Sequence, residues 1–208
     1  MPSAPFTAFV STYVALPVDN IDTDQIIPAR FLKTTERTGL GAAAFHGWRY
    51  RPDGTLDPDF PLNRPGASAA HVLVAGRNFG CGSSREHAVW ALLGAGFKAV
   101  VSAEFADIFR GNAIGNGLLP IQVDAEVVER LLRDAAGPHP NVAVDLAAQT
   151  LTLPDRGVVH FPIAPFAKHC LLHGIDELDF LLGAAAEVTA YEAAHAARVS
   201  TVPAEVPA

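Results

Sequence analysis

Two adjacent hydroxyls and a guanidinium, on Ser83, Ser84 and Arg85, lie in the stretch NFGCGSSREHA, Asn78 to Ala88, between the apolar runs HVLVAG and AVWALLGAG. These groups in this order suit a small anion. A hydroxyl can donate or accept, and a guanidinium meets a carboxylate or phosphate at two points. The common glycine-rich motifs do not account for them. A dinucleotide fingerprint would need a third glycine where Arg85 stands, and its bulk would spoil close helix packing. Gly82-Ser83-Ser84 does not fit the G-x-S-x-G nucleophile elbow, and the Gly-Lys-Ser/Thr of a phosphate-binding loop is absent.

The plain alternative is a well-built helix start. Ser83 and Glu86 have the S-x-x-E spacing of a capping box, in which hydroxyl and carboxylate each satisfy a backbone amide. That reading covers Ser83, Glu86 and the glycines but leaves Arg85 unexplained, because a cation in the first turn opposes the helix dipole. An anion bound at the helix start reverses the argument: backbone amides, the positive helix end and the guanidinium then converge on it.

The elements that must position these groups read as alternating strands and helices. Ser11 to Pro17 is a short strand, and DNIDTDQIIP follows it as an Asp/Asn-rich turn. Residues 34–70 read as a long loop punctuated by Gly and Pro, and the aromatics Trp48, Tyr50 and Phe60 within it imply that it packs on something. His71 to Ala75, Lys98 to Ser102 and GLLPIQV are further strands. Ser84 to Leu93, Phe105 to Asn112 and Asp124 to Asp134 are helices, the last with Asp124 as its N-cap. NVAVDLAAQTLTLP alternates as a hairpin, and VVHFPI is another strand. Phe166 to His173 and Ala184 to Ala197 close the chain as helices. An α/β centre with β-rich flanks predicts sheet layered with helices, in one domain spanning residues 1–208.

Composition sets outer bounds. Half of the 208 residues are hydrophobic and 18% are charged, enough for a substantial core. The formal net charge of −7, without a Lys/Arg-rich run, argues against a nucleic-acid surface. The apolar runs are too interrupted for a membrane span. MPSAPFTAFVSTY lacks the basic start and apolar core of a signal peptide. The two cysteines, Cys81 and Cys170, are too few and wrongly spaced for a zinc or iron–sulfur site, and so sparse a content suits a reduced cytosol. His169, Cys170 and His173 hint at metal but fall on one predicted amphipathic helix, where packing explains them.

NFGCGSSREHA resembles the GSSREH signature of the aconitase superfamily. NIDTDQIIPARFLK before it and AEFADIFRGNAIGNGLLPI after it, in that order, look like the isopropylmalate isomerase small-subunit family. The likeness runs from about Phe9 to Tyr191 and takes in GLGAAAFHGWRY. The resemblance implies a swivelling β/β/α three-layer domain, as in the aconitase C-terminal domain. It also implies a cytoplasmic hydro-lyase active only with a large subunit, which carries a 4Fe-4S cluster on its own cysteines; this chain would bind no cofactor. The implied reaction moves a hydroxyl between adjacent carbons of a dicarboxylic hydroxy acid by dehydration and rehydration. A related hydro-lyase acting on citraconate/2-methylmalate or homoaconitate, and a noncatalytic domain of the same fold, are the alternatives.

The resemblance also assigns roles. Ser83 matches the catalytic serine that acts as general base, Ser84 a hydroxyl that hydrogen-bonds substrate, and Arg85 a two-point carboxylate partner. Asp24 matches an aspartate that orients catalytic groups across the domain interface, at the substrate, although an Asx-rich turn would also explain Asp22, Thr23 and Asp24. Phe31 to Thr34 aligns with a substrate-selecting loop, in which Leu32 would face an alkyl substituent. A homoaconitase-like member would favour arginine at that place, and Lys33 stands beside it. Arg30 is a second candidate cation.

Overall fold

The computed structural model describes residues 4–135 and 141–195. Four strands run parallel: β1 (Phe9–Leu16), β2 (Val72–Ala75), β3 (Ala99–Ser102) and β4 (Leu119–Gln122). β1 also pairs antiparallel with β5 (Asn141–Asp145), which continues to β6 (Thr150–Thr152) and β7 (Val158–His160). The described residues thus form one mixed sheet of order β4-β3-β2-β1-β5-β6-β7. The predicted hairpin is present, with Val144 opposite Leu151.

Period-two alternation divides the core. Val14 and Leu16 of β1, Leu73 and Ala75 of β2 and Val100 of β3 face one apolar cluster. That cluster is filled by α3 (Glu86–Gly94) and α4 (Asp107–Gly115), through Ala88 to Leu92, Phe109 and Ala113. Tyr13, Val72, Val74, Ala99, Val101, Leu119 and Ile121 face the other way and meet Val142, Val144 and Leu151 of β5 and β6. The sheet therefore curls so that two β layers share a core, with the helical layer behind, which is the expected α/β architecture. α5 (Ala125–Asp134) and α6 (Pro165–His173) close the second core with Val128, Leu131 and Leu171.

Several boundaries differ from the sequence reading, each for a local reason. α3 begins at Glu86 rather than Ser84, because Arg85 is still extended at φ −120° and ψ 109°. Ser83 and Ser84 precede the helix, and no side chain caps it, so the Ser83–Glu86 capping box does not form. The capping box instead starts α1 (Thr23–Ile26), where Asp22 accepts from the Gln25 amide and the Gln25 side chain from the Asp22 amide. Asp124 stands at the N-cap of α5, but its side chain makes no capping bond. Residues 34–70 are less loop-like than their Gly and Pro content implies. They contain α2 (His46–Arg49) and three 3₁₀ turns, and they bury Leu40, Ala43, Ala44 and Phe45 in the first core. Beyond α6 the sequence reading missed α7 (Glu177–Gly183), started by an Asp176–Asp179 capping box. α8 spans Ala185–Ala194, and residues 196–197 of the helix expected there lie outside the described part. No helix among the described residues is long and apolar enough to cross a membrane.

Candidate active site

The site lies where the chain leaves the carboxyl ends of the parallel strands, the usual ligand-binding edge of such sheets. Past β1 and β2 the two segments stay side by side. The Gly76 amide donates to the Val18 carbonyl, Asn20 to Arg77, Gly80 to Ile21 and Thr23 to Cys81. The segment after β3 joins them, with Phe79 donating to Glu104 and Ala106 to Phe79. Backbone bonding alone thus brings NIDTDQ against NFGCGSSREH.

Two glycines permit the turn. Gly80 and Gly82 have φ of +77° and +88°, in the region L side chains avoid. A Cβ on Gly80 would stand 2.2 Å from Cγ of Phe109, and one on Gly82 would stand 3.3 Å from Cβ of Asp22. The buried Thr23 then donates its hydroxyl to the Ser83 carbonyl at 2.9 Å, fixing Ser83 by its backbone and leaving the side chain exposed. Ser84 is exposed beside it.

Arg85 follows at the uncapped start of α3, and its guanidinium pairs with the Asp24 carboxylate, 61 residues away in sequence. The Arg85 side chain is 20% exposed and that of Asp24 51%, so the pair lies at a surface that an incoming anion can reach. Here the structure supplies the reason a cation tolerates the positive helix end: a carboxylate already stands against it. The exposed Ser83, Ser84 and Asp24 and the half-buried Arg85 thus come together at the surface. A carboxylic acid bound there would share or take over the guanidinium from Asp24.

Leu32 and Lys33 make no hydrogen bond or ion pair with this group among the described residues. The chain makes a 3₁₀ turn at Ala29–Phe31, after which Leu32 packs partly on the first core and Lys33 is exposed. Thr34 is tied to α3: its carbonyl lies 2.8 Å from Nε2 of His87. Arg30 sits farther along, in a cavity of about 740 Å³ with Phe31, His46 and Tyr50, where it hydrogen-bonds Nδ1 of His46 at 2.7 Å. Burial, and then the Arg30 charge, push His46 below the ordinary imidazole range. The structure therefore does not bring Arg30 to the serine group through any direct bond.

Sequence reasoning missed Thr23 and His87, although both lie inside the quoted motifs. It also missed Asn116, which donates to Glu86 at 2.7 Å and accepts from the Trp90 indole at 2.9 Å. Their partners lie far along the chain, and local spacing carried no signal for them.

Neither cysteine is set up as a nucleophile or ligand. Burial, and then Asp22, push the Cys81 thiol up, and its Sγ donates to the Asn20 carbonyl at 3.4 Å. Cys170 is buried in α6 and raised by burial, then by Glu177 and Asp176. His173 turns its Nδ1 to the His169 carbonyl of its own helix at 2.8 Å. Two such thiols do not fit a cluster held by three cysteines, so this chain does not offer its ligand set.

Residues 3–126 match the model of the aconitase C-terminal domain. The chain is 59% identical over 198 residues to the 3-isopropylmalate dehydratase small subunit of Roseiflexus sp. strain RS-1, covering 95% of this chain and 97% of the relative. The chain belongs to the 3-isopropylmalate dehydratase small-subunit family. The small subunit of Anaeromyxobacter sp. strain K is 55% identical over 188 residues, covering 90% of this chain and 97% of its own length. The crystal structure of the 3-isopropylmalate dehydratase from Methanocaldococcus jannaschii superposes with a TM-score of 0.65 at 28% identity, covering 89% of this chain and 99% of that one. In this chain the three motifs at the sheet edge are the segments joined by the backbone ladder described above.

Proposed function

We propose that the chain is the small subunit of a cytoplasmic 3-isopropylmalate dehydratase. Paired with a large subunit, it would interconvert 2-isopropylmalate and 3-isopropylmalate through 2-isopropylmaleate in leucine biosynthesis. The reading is carried by the exposed Ser83 and Ser84 beside the half-buried Arg85 at an uncapped helix start, in a chain sharing more than half its residues with relatives of that name.

The proton to be removed lies α to a carboxylate and is weakly acidic, so negative charge must be stabilised as it develops. Ser83 acts as general base through its hydroxyl oxygen, and the amides at the start of α3 and Arg85 lower the cost of its anion. Arg85 takes a substrate carboxylate at two points, displacing part of its contact with Asp24. Asp24 holds the guanidinium in place, and Ser84 donates to the bound acid. Leu32 and Lys33 flank the group that distinguishes one malate from another. A 4Fe-4S cluster on the large subunit would supply Lewis acidity toward the substrate hydroxyl.

The test is reconstitution with the cognate large subunit, assayed on isopropyl- and methyl-substituted malates and on homoaconitate. The highest kcat/KM is expected for the isopropyl acid. Preference for the methyl acid or for homoaconitate would reassign the substrate, and inactivity on all of them, with a stable complex formed, would leave a noncatalytic domain.

A further inference from the structure

Resting on the function proposed above, we infer that His87 is a positioning residue that registers the segment Phe31 to Arg37 against Ser83–Arg85 and so sharpens discrimination between alkyl substituents.

His87 lies in the first turn of α3, just past Arg85, and is half-buried. A carbonyl oxygen only accepts, so the 2.8 Å contact with the Thr34 carbonyl requires the proton on Nε2 of the ring. That bond spans 53 residues of sequence and ends on the last residue of the Phe31–Thr34 loop. The same turn of α3 holds the next part of the loop. The Arg37 guanidinium lies 3.9 Å from Glu86 and 5.4 Å from the Trp90 ring centre. The His87 and Trp90 rings are in contact, with centroids 4.5 Å apart. Glu86 and Trp90 are in turn fixed by Asn116 at the end of α4.

The charged part of this clamp is weak. Arg37 and Glu86 are 49% and 42% exposed, and an ion pair that open to water contributes little. The His87 bond is shorter, less exposed and directed at the backbone, so side-chain changes in the loop leave it intact. It couples the loop to the helix whose start carries the carboxylate clamp. Displacement of the loop by even an ångström changes the space left for an alkyl group, while the carboxylate stays where Arg85 holds it. The expected signature is therefore in selectivity and in KM for the preferred acid, with less effect on proton removal.

The experiment uses the reconstituted complex with His87→Gln, His87→Asn and His87→Leu. A glutamine amide nitrogen reaches about as far as Nε2, whereas asparagine keeps the amide but falls short. The wild type is expected to favour isopropyl- over methyl-substituted malate. His87→Asn and His87→Leu should lower that kcat/KM ratio about tenfold or more, the scale of one lost apolar contact, mainly through KM. His87→Gln should restore most of the ratio. Limited trypsin digestion of the chain before assembly gives an independent reading: cleavage after Lys33 and Arg37 should be faster in His87→Asn than in His87→Gln. A merely structural histidine would lower the melting temperature in all three variants and leave the ratio unchanged, overturning the inference. Equal selectivity for Asn and Gln variants would also overturn it. If the wild-type complex is inactive, the functional reading fails instead, and the digestion still reports whether His87 tethers the loop.

Discussion

Ser83→Ala separates a base from a helix cap, and the structure sets the stability side of the comparison. A capping serine lost to alanine costs about 0.5–2 kcal/mol. Here α3 starts at Glu86 with no side-chain cap, and the bond that fixes Ser83 runs from Thr23 to its backbone carbonyl, which alanine retains. The exposed side chain is therefore worth no more than about 0.5 kcal/mol to folding, as for surface changes generally. For a domain of this size that is a shift in melting temperature of about 2 °C or less. Loss of a general base, by contrast, lowers turnover by roughly 100- to 10,000-fold. The assay is exchange of the substrate α-proton with solvent in the reconstituted complex, alongside the melting temperature and large-subunit binding. Expected are unchanged melting, unchanged binding and exchange reduced by at least about 100-fold. Near-wild-type exchange would refute the base assignment, and a fall in melting temperature of about 4 °C or more would refute the uncapped helix start.

Arg85→Lys should raise KM and lower kcat/KM, because a point charge replaces a planar two-point partner. Since the Arg85–Asp24 pair is partly exposed and worth at most about 1 kcal/mol, the melting temperature should shift by no more than about 4 °C; wild-type kinetics would contradict the carboxylate role. Gly80→Ala should cost at least about 2 kcal/mol, because its Cβ would meet the Phe109 ring at a positive φ, and unfolding monitored by denaturant should show it. Tyr13 donates to the Leu131 carbonyl at 2.7 Å, and burial, then the Asp134 charge, push it up to about 12. Because the folded state holds the neutral phenol, its contribution is intact below the ordinary value near 10 and is lost as pH rises from there through about 12. Tyr13→Phe should therefore lower stability by about 0.5–1.5 kcal/mol at neutral pH and lose less of it across that alkaline window; parallel curves for the two proteins would contradict this.

The sequence by itself singled out the candidate site residues and determined most of the scaffold beneath them. Buried strands announced themselves as short apolar runs, and Asn141 to Pro154 as a hairpin, because period-two alternation is local. The serine pair, Arg85 and Asp24 were legible because they lie within contiguous motifs. Tertiary structure alone decided what those residues do to one another. The S-x-x-E spacing at Ser83 promised a capping box, but Gly82 at positive φ places Ser83 in a bend, the Thr23 bond ties its carbonyl, and Arg85 is still extended just before Glu86, while the Asp22–Gln25 box forms elsewhere. A capping motif needs backbone angles as well as side chains, and those angles were set by a segment distant in sequence. The pairing of Arg85 with Asp24, the hold of His87 on Thr34 and the burial of Phe45 within a loop-like stretch depend likewise on which strands lie adjacent. β1 beside β2 lays the two motif segments together, and that adjacency arises from sheet order, which no local pattern encodes.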